Sequence, residues 1–175
     1  MKLHPLPPLK ELKECLDYNP DTGVFIWKKK TNAFSSIKIG QEAGWEKVKT
    51  ETLVYREIGF KQTQYKAHRL AYYMYHGIDP RNIDIDHEDG NGLNNKINNL
   101  RLATRSENGR NRGLNKNNTS GVTGVYWNKA RNKWMALIKV NGEQKYLGLY
   151  INKEDAIQAR KEAEKKYFGK FRRQD

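Results

Sequence analysis

The sequence predicts an α+β protein in two domains, a mixed helix-and-strand domain followed by a small three-stranded antiparallel sheet with one helix. Three observations carry that expectation. The 175 residues are 37% hydrophobic and 11% aromatic, enough for one ordinary domain or two small ones. Short period-two segments and short segments of helical period are interspersed along the chain. The charge is also uneven: residues 1–112 hold 19 basic and 14 acidic side chains, and residues 113–175 hold 14 and 6. Between these halves, residues 113–121 are mostly Gly, Asn, Thr and Ser, which favour turns. The expected organisation is therefore a domain over 1–112, a linker over 113–120 and a second domain over 121–175.

Within the first domain, Leu9, Leu12 and Leu16 lie at helical spacing, so residues 9–18 are expected to form a short amphipathic helix. The turn-forming stretch 19–23 ends it, and residues 24–27 read as a strand. Residues 53–65 alternate as a hairpin, and residues 66–76 are apolar and aromatic enough for a buried helix. Two short apolar strands follow, 83–85 and 100–103, separated by a loop dense in Asn and Gly. Thr104 and Glu107 form a capping box, so a helix starts at that point with Asn108 in its first turn.

In the second domain, residues 122–128, 133–140 and 144–150 are strand-like, and Asn141-Gly142 is a strong hairpin turn. A helix is expected over 153–168, with Ala156, Ile157, Ala159, Ala163 and Tyr167 able to face the sheet. Strand parity places Trp134, Ala136 and Ile138 under that helix and Lys133, Met135, Leu137 and Lys139 on the opposite face. Trp127 and Trp134 are assigned to the core, because aromatic residues at strand parity usually pack.

Composition narrows the function. A net charge of +13 points to a polyanionic partner, and nucleic acid is the usual one. No run approaches the roughly 18 apolar residues of a bilayer span, and the first eight residues are broken by proline where a signal peptide has an apolar core. A membrane role is not expected, and the expected location is the cytoplasm. The single cysteine, Cys15, leaves neither an intramolecular disulfide nor a Cys-rich zinc cage.

The stretch 83–111 carries the chemistry. It holds the pair Asp86-His87, then Asn94-Asn95, Asn98-Asn99 and Asn108, with Asn99 twelve residues after the histidine and Asn108 twenty-two after the aspartate. Taken singly these residues also suit a surface ion pair and turns. Glu88 and Asp89 are read as loop residues beside the Asp89-Gly90 and Asn91-Gly92 turns, and His4 and His76 receive no role. Arg101, Arg105, Arg110 and Arg112 surround the motif as candidate phosphate contacts, with plain solvated surface as the competing reading.

In this register the stretch resembles the HNH endonucleases. Tyr18-Asn-Pro-Asp-Thr-Gly-Val-Phe-Ile-Trp27 and His68-Arg-Leu-Ala71 are similar to the opening and the pre-motif helix of phage-type members. The resemblance implies a ββα-metal arrangement. His87 is then the general base, Asn99 fixes its ring by a hydrogen bond, and Asp86 and Asn108 ligate one divalent cation. A carboxylate and an amide oxygen form a hard site that suits Mg²⁺ or Mn²⁺ better than Zn²⁺. The third motif letter is Asn108 rather than histidine. His68 is read as a packing residue rather than a catalytic one.

Gly124-Val-Tyr-Trp127, Lys133 to Lys139, Tyr146 to Tyr150 and Glu154-Asp-Ala156 together resemble the Apetala/ethylene-response-factor DNA-binding domain. That likeness implies duplex DNA as partner, read by the open sheet face, with Thr123, Tyr126, Asn128, Lys133, Lys139, Gln144 and Tyr146 as the candidate contacts. Several arginines of that family are replaced here, so its preferred sequence does not transfer. The combined expectation is a site-selective DNA endonuclease of the phage or mobile-element homing type, either a monomer or a weak dimer, acting in the cytoplasm of a bacterial host. The competing expectation is a non-catalytic DNA-binding protein on a decayed nuclease scaffold, and a third is an RNA-binding protein.

Overall fold

The structure is a computed structural model, and it describes residues 4–31, 36–50, 53–111, 114 and 117–172. The chain forms two compact units, Met1–Arg105 and Ser106–Asp175. The first unit contains α1 (Leu9–Cys15), β1 (Leu16–Tyr18), β2 (Phe25–Trp27), β3 (Trp45–Thr50), β4 (Leu53–Phe60), β5 (Thr63–Lys66), α2 (Ala67–His76), β6 (Asp84–His87) and β7 (Leu100–Ala103). The division falls one residue into α3 (Arg105–Arg110).

The helix expected over 9–18 stops at Cys15. Leu16 is extended and pairs with Trp27, opening a β1–β2 hairpin that buries Leu16, Phe25 and Trp27. The period-four leucine pattern is thus shared between a helix and a strand, because cross-strand burial of Leu16 replaces helical burial. Asn19 makes the hairpin turn, its Oδ1 accepting from the N–H groups of Asp21 and Thr22. Gly23, at φ +76°, closes it, and a Cβ there would stand 2.6 Å from the Asn95–Lys96 backbone. This turn therefore seats directly on the Asn-rich loop. Tyr18 Oη donates to the Asn95 carbonyl at 2.8 Å, and the Ile97 N–H donates to the Pro20 carbonyl at 2.9 Å.

The expected hairpin is present as β4 and β5, extended by β3 into an antiparallel sheet of order β3-β4-β5. Strand β3 was not legible because all six of its residues are exposed, so no burial period marks it. Helix α2 packs Ala67, Leu70, Ala71 and Met74 into one cluster with Leu12, Phe25, Ile58 and Phe60.

The second unit has β8 (Val125–Asn128), β9 (Lys133–Val140), β10 (Glu143–Tyr150) and α4 (Lys153–Phe168), with sheet order β10-β9-β8. Ala136 and Ile138 are buried with Ala156, Ala163 and Phe168, as strand parity requires. Trp127 departs from the core assignment. It stands at a sheet edge, 40% exposed, with its ring edge-on to Trp134 at 5.4 Å. Arg160 is an unexpected core member: buried on α4, it donates through Nη1 to the Leu137 carbonyl and through Nε to Glu164. Gly124 makes room for it, since a Cβ there would lie 2.4 Å from that carbonyl.

Candidate active site

Strands β6 and β7 pair Asp86 with Arg101 and His87 with Leu100. That register decides the fate of Arg101. Its Nε and Nη2 lie 2.9 and 2.8 Å from Asp86 Oδ2, and its Nη1 lies 3.3 Å from Glu88. Arg101, expected as a phosphate contact, is paired with the buried Asp86 carboxylate across the hairpin. Without a paired cation, a carboxylate only 4% exposed would be strongly disfavoured.

His87 is equally buried. Its ring stands 5.0 Å from His68, edge to face, and 6.0 Å from Tyr55. Burial lowers its pKa below the usual histidine value, opposed by a hydrogen bond with Asn95 and by the Asp89 and Asp86 charges. The imidazole is neutral at pH 7 as a result. Asn95 Nδ2 donates to the Leu93 carbonyl at 3.1 Å, which turns its Oδ1 toward His87 Nε2 at 3.4 Å. An amide oxygen accepts, so this contact suits the tautomer that carries the ring proton on Nε2.

The amide against the imidazole is thus Asn95, not Asn99. Asn99 holds the loop instead: its Nδ2 donates to the Asn94 carbonyl at 2.8 Å and to Asp89 Oδ1 at 3.0 Å, and its Oδ1 accepts from the Asp89 N–H at 3.1 Å. The Glu88 N–H also donates to the Asn99 carbonyl at 2.9 Å. The correction has a geometric cause, because Asn99 ends the loop beside β7 and faces the corner that follows His87. Asn95 stood in the sequence as one asparagine among many. Only its burial, 1% exposed, separates it from its neighbours.

Asp89 is the centre of the loop, in keeping with its reading as a loop residue. Partial burial acts to raise its pKa, but hydrogen bonds from Asn94, the Asn91 backbone and Asn99 outweigh it and hold the carboxyl below its ordinary value. Gly92 lies against β4, where a Cβ would come within 2.3 Å of the Val54 carbonyl and 2.7 Å of the Tyr55 ring.

His68 is fully enclosed on α2, and its Nδ1 has no hydrogen-bond partner among the described residues. Burial first, then the charges of His87 and nearby cations, push its pKa well below the histidine range. The expected packing role fits that environment. Asn108 lies in α3, half-buried, within the second unit. Arg105 is exposed at the start of α3, Arg110 packs its guanidinium 4.9 Å over the Phe168 ring, and Arg112 lies outside the described residues. The Asp86 carboxylate and an asparagine amide such as that of Asn108 are hard oxygen donors, a chemistry that suits Mg²⁺ or Mn²⁺. Among the described residues no group of three His, Cys, Asp or Glu side chains could hold a metal ion.

In the second unit, cross-strand pairing sorts the expected DNA contacts onto one face. Asn128 opposes Lys133, Tyr126 opposes Met135, Tyr146 opposes Leu137 and Gln144 opposes Lys139, all on the side away from α4. Tyr126 and Tyr146 are 42% and 60% exposed. Tyr126 Oη meets Met135 Sδ at 3.1 Å, and the Asn128 side chain caps its turn by accepting from the Arg131 N–H at 3.0 Å.

Comparison with known proteins adds two findings. Residues 65–110 match the family model described as HNH endonuclease. Protein 3.8 of Escherichia phage T7 is 41% identical over 83 residues, a span covering 46% of this chain and 69% of that protein. No solved structure matches.

Proposed function

Because this chain belongs to the family of the phage T7 protein 3.8 and carries an HNH endonuclease domain, we propose that it is a metal-dependent endonuclease that hydrolyses phosphodiester bonds of duplex DNA at selected sites. The observation that carries this reading is His87, a buried imidazole beside an aspartate paired with Arg101, with its Nε2 turned to the Asn95 amide oxygen.

In this reading Nδ1 of His87 takes the proton of the attacking water, and Asn95 holds the ring in the tautomer that leaves that nitrogen basic. Asn99 keeps the following corner fixed, so the imidazole and Asp86 keep one spacing. Asp86 and Asn108 would hold one Mg²⁺ or Mn²⁺. When bound, that ion supplies positive charge to the phosphate and the leaving oxygen. Arg101 orients Asp86 through its Nε and Nη2 contacts. One such site per chain cuts one strand at a time, so a monomer nicks and a double-strand break takes a weak dimer or two events.

The second unit adds affinity and sequence preference through the open sheet face, with Tyr126, Asn128, Lys133, Lys139 and Tyr146 on the duplex and Arg105 and Arg112 on phosphates. Their common face and the basic excess of residues 113–175 support this role. Tethering raises the local concentration of one unit at the other's site. The biological setting is homing of a phage or mobile element in the cytoplasm of a bacterial host.

The test is incubation of supercoiled plasmid and phage genomic DNA with the protein in EDTA, Mg²⁺ or Mn²⁺, with His87→Ala alongside. Metal-dependent nicking lost in the variant supports the reading. Tight duplex binding without cleavage in either metal replaces it with a non-catalytic DNA-binding protein.

A further inference from the structure

Tyr55 on β4 is the meeting point of two lysines that the proposed chemistry does not use. Lys66 Nζ lies 4.0 Å from its ring centroid and Lys49 Nζ 5.8 Å, while the His87 ring stands 6.0 Å away. Lys66 ends β5 and Lys49 lies on the outer strand β3, so two strands that flank β4 deliver two ammonium groups to one aromatic side chain. Burial, followed by the Lys49 charge, pushes the Lys66 pKa down to about 8, with Glu57, its partner across β4–β5, opposing.

Like charges gathered on a half-buried ring repel in the free protein, and the aromatic face and Glu57 only partly offset that repulsion. An anion placed between them converts the repulsion into two charge-assisted contacts. Lys49 is exposed and Lys66 partly buried, so the pair opens to solvent beside the imidazole. From the ring distances, Lys66 Nζ lies at most about 10 Å from the centre of the His87 ring. That length corresponds to about three nucleotides of one strand at ~3.4 Å each.

We propose that Lys49 and Lys66, seated on Tyr55, form a phosphodiester-binding site that grips the cleaved strand within about three nucleotides of the bond facing His87. The site rests on the endonuclease reading for its place relative to the cut, but its anion binding is independent of cleavage. It fixes the register of the backbone rather than reading bases.

The experiment uses the full chain in EDTA with Lys49→Gln, Lys66→Gln and Lys49→Arg. Duplex affinity is measured across a NaCl series, and acetylation of each lysine is followed by mass spectrometry with and without duplex. Each Gln variant is expected to weaken binding roughly tenfold and to reduce the log–log salt slope by about 0.9, while Lys49→Arg keeps the slope. Duplex should protect both lysines, and the Gln variants should melt no lower than the parent because a repulsion is removed. Unchanged slopes with unprotected lysines, or Gln variants that melt lower, would overturn the site. Absence of cleavage in any metal would sink the endonuclease reading while protection and slopes still decide this one.

Discussion

Truncating Asn95 to alanine separates the support of the imidazole from the support of the loop. The side chain is fully buried and makes two contacts, Nδ2 to the Leu93 carbonyl at 3.1 Å and Oδ1 to His87 Nε2 at 3.4 Å. A buried neutral hydrogen bond contributes about 1 kcal/mol net, and the carbonyl and ring N–H left behind add desolvation costs of about 1–2 kcal/mol together. The longer contact to His87 adds little. The expected loss is about 2–3 kcal/mol, read as a lowered urea midpoint at constant m, which a domain of typical stability survives. The Tyr18 bond to the Asn95 carbonyl is a main-chain contact and persists. The second effect is on protonation. Because the Asn95 bond raises the His87 pKa, its loss moves that pKa further down, and the acid limb of plasmid nicking should shift to lower pH with a lower plateau rate. Asn99→Ala loses its bonds to Asp89 and Asn94 yet should leave the acid limb in place. An unmoved limb in Asn95→Ala, or an equal shift in Asn99→Ala, would refute the assignment of Asn95 as the partner of the imidazole.

Acid should destabilise the fold through His68. Its folded pKa lies well below the unfolded value near 6.5, so the unfolded chain binds more protons and stability falls as pH drops below about 6.5. Urea midpoints at pH 7.5 and 5 should differ less in His68→Phe than in the parent. Gly92→Ala drives a Cβ to 2.3 Å from the Val54 carbonyl and should cost about 1–3 kcal/mol, seen as a lower Tm. Lys139→Gln, on the open sheet face, should reduce the salt slope of duplex binding by about 0.9 while leaving the Tm unchanged.

What the sequence made legible follows burial and pattern. Strand β9 and helix α4 coincide with their expected ranges because parity, a tight turn and a basic amphipathic helix all agree there. Leu16–Tyr18 went the other way, since a leucine spacing of four suits a helix and the first residue of a hairpin equally. The family resemblance singled out Asp86, His87, Asn99 and Asn108 but was silent on who touches whom. Asn95 and Asn99 are chemically identical, and only the fold turns one toward His87 and the other toward Asp89. The partners of Arg101 and Arg160 were not legible for a single reason. Each arginine answers a buried acceptor on another strand, a relation with no local signature.

The choice of amides around His87 has an electrostatic logic. A loop of this shape needs acceptors for its own N–H groups and donors for its carbonyls, and asparagines supply both where aspartates would only accept. Each added carboxylate, moreover, would raise the His87 pKa. Asn91, Asn94, Asn95 and Asn99 do the holding without charge. The one acid in the loop centre, Asp89, is saturated by Asn91, Asn94 and Asn99, while Asp86 is matched by Arg101. Beside them the Lys49 and Lys66 ammonium groups share the Tyr55 ring. Burial and the nearby lysine charge therefore favour the neutral imidazole, against the Asn95 bond and the Asp89 and Asp86 charges that oppose them.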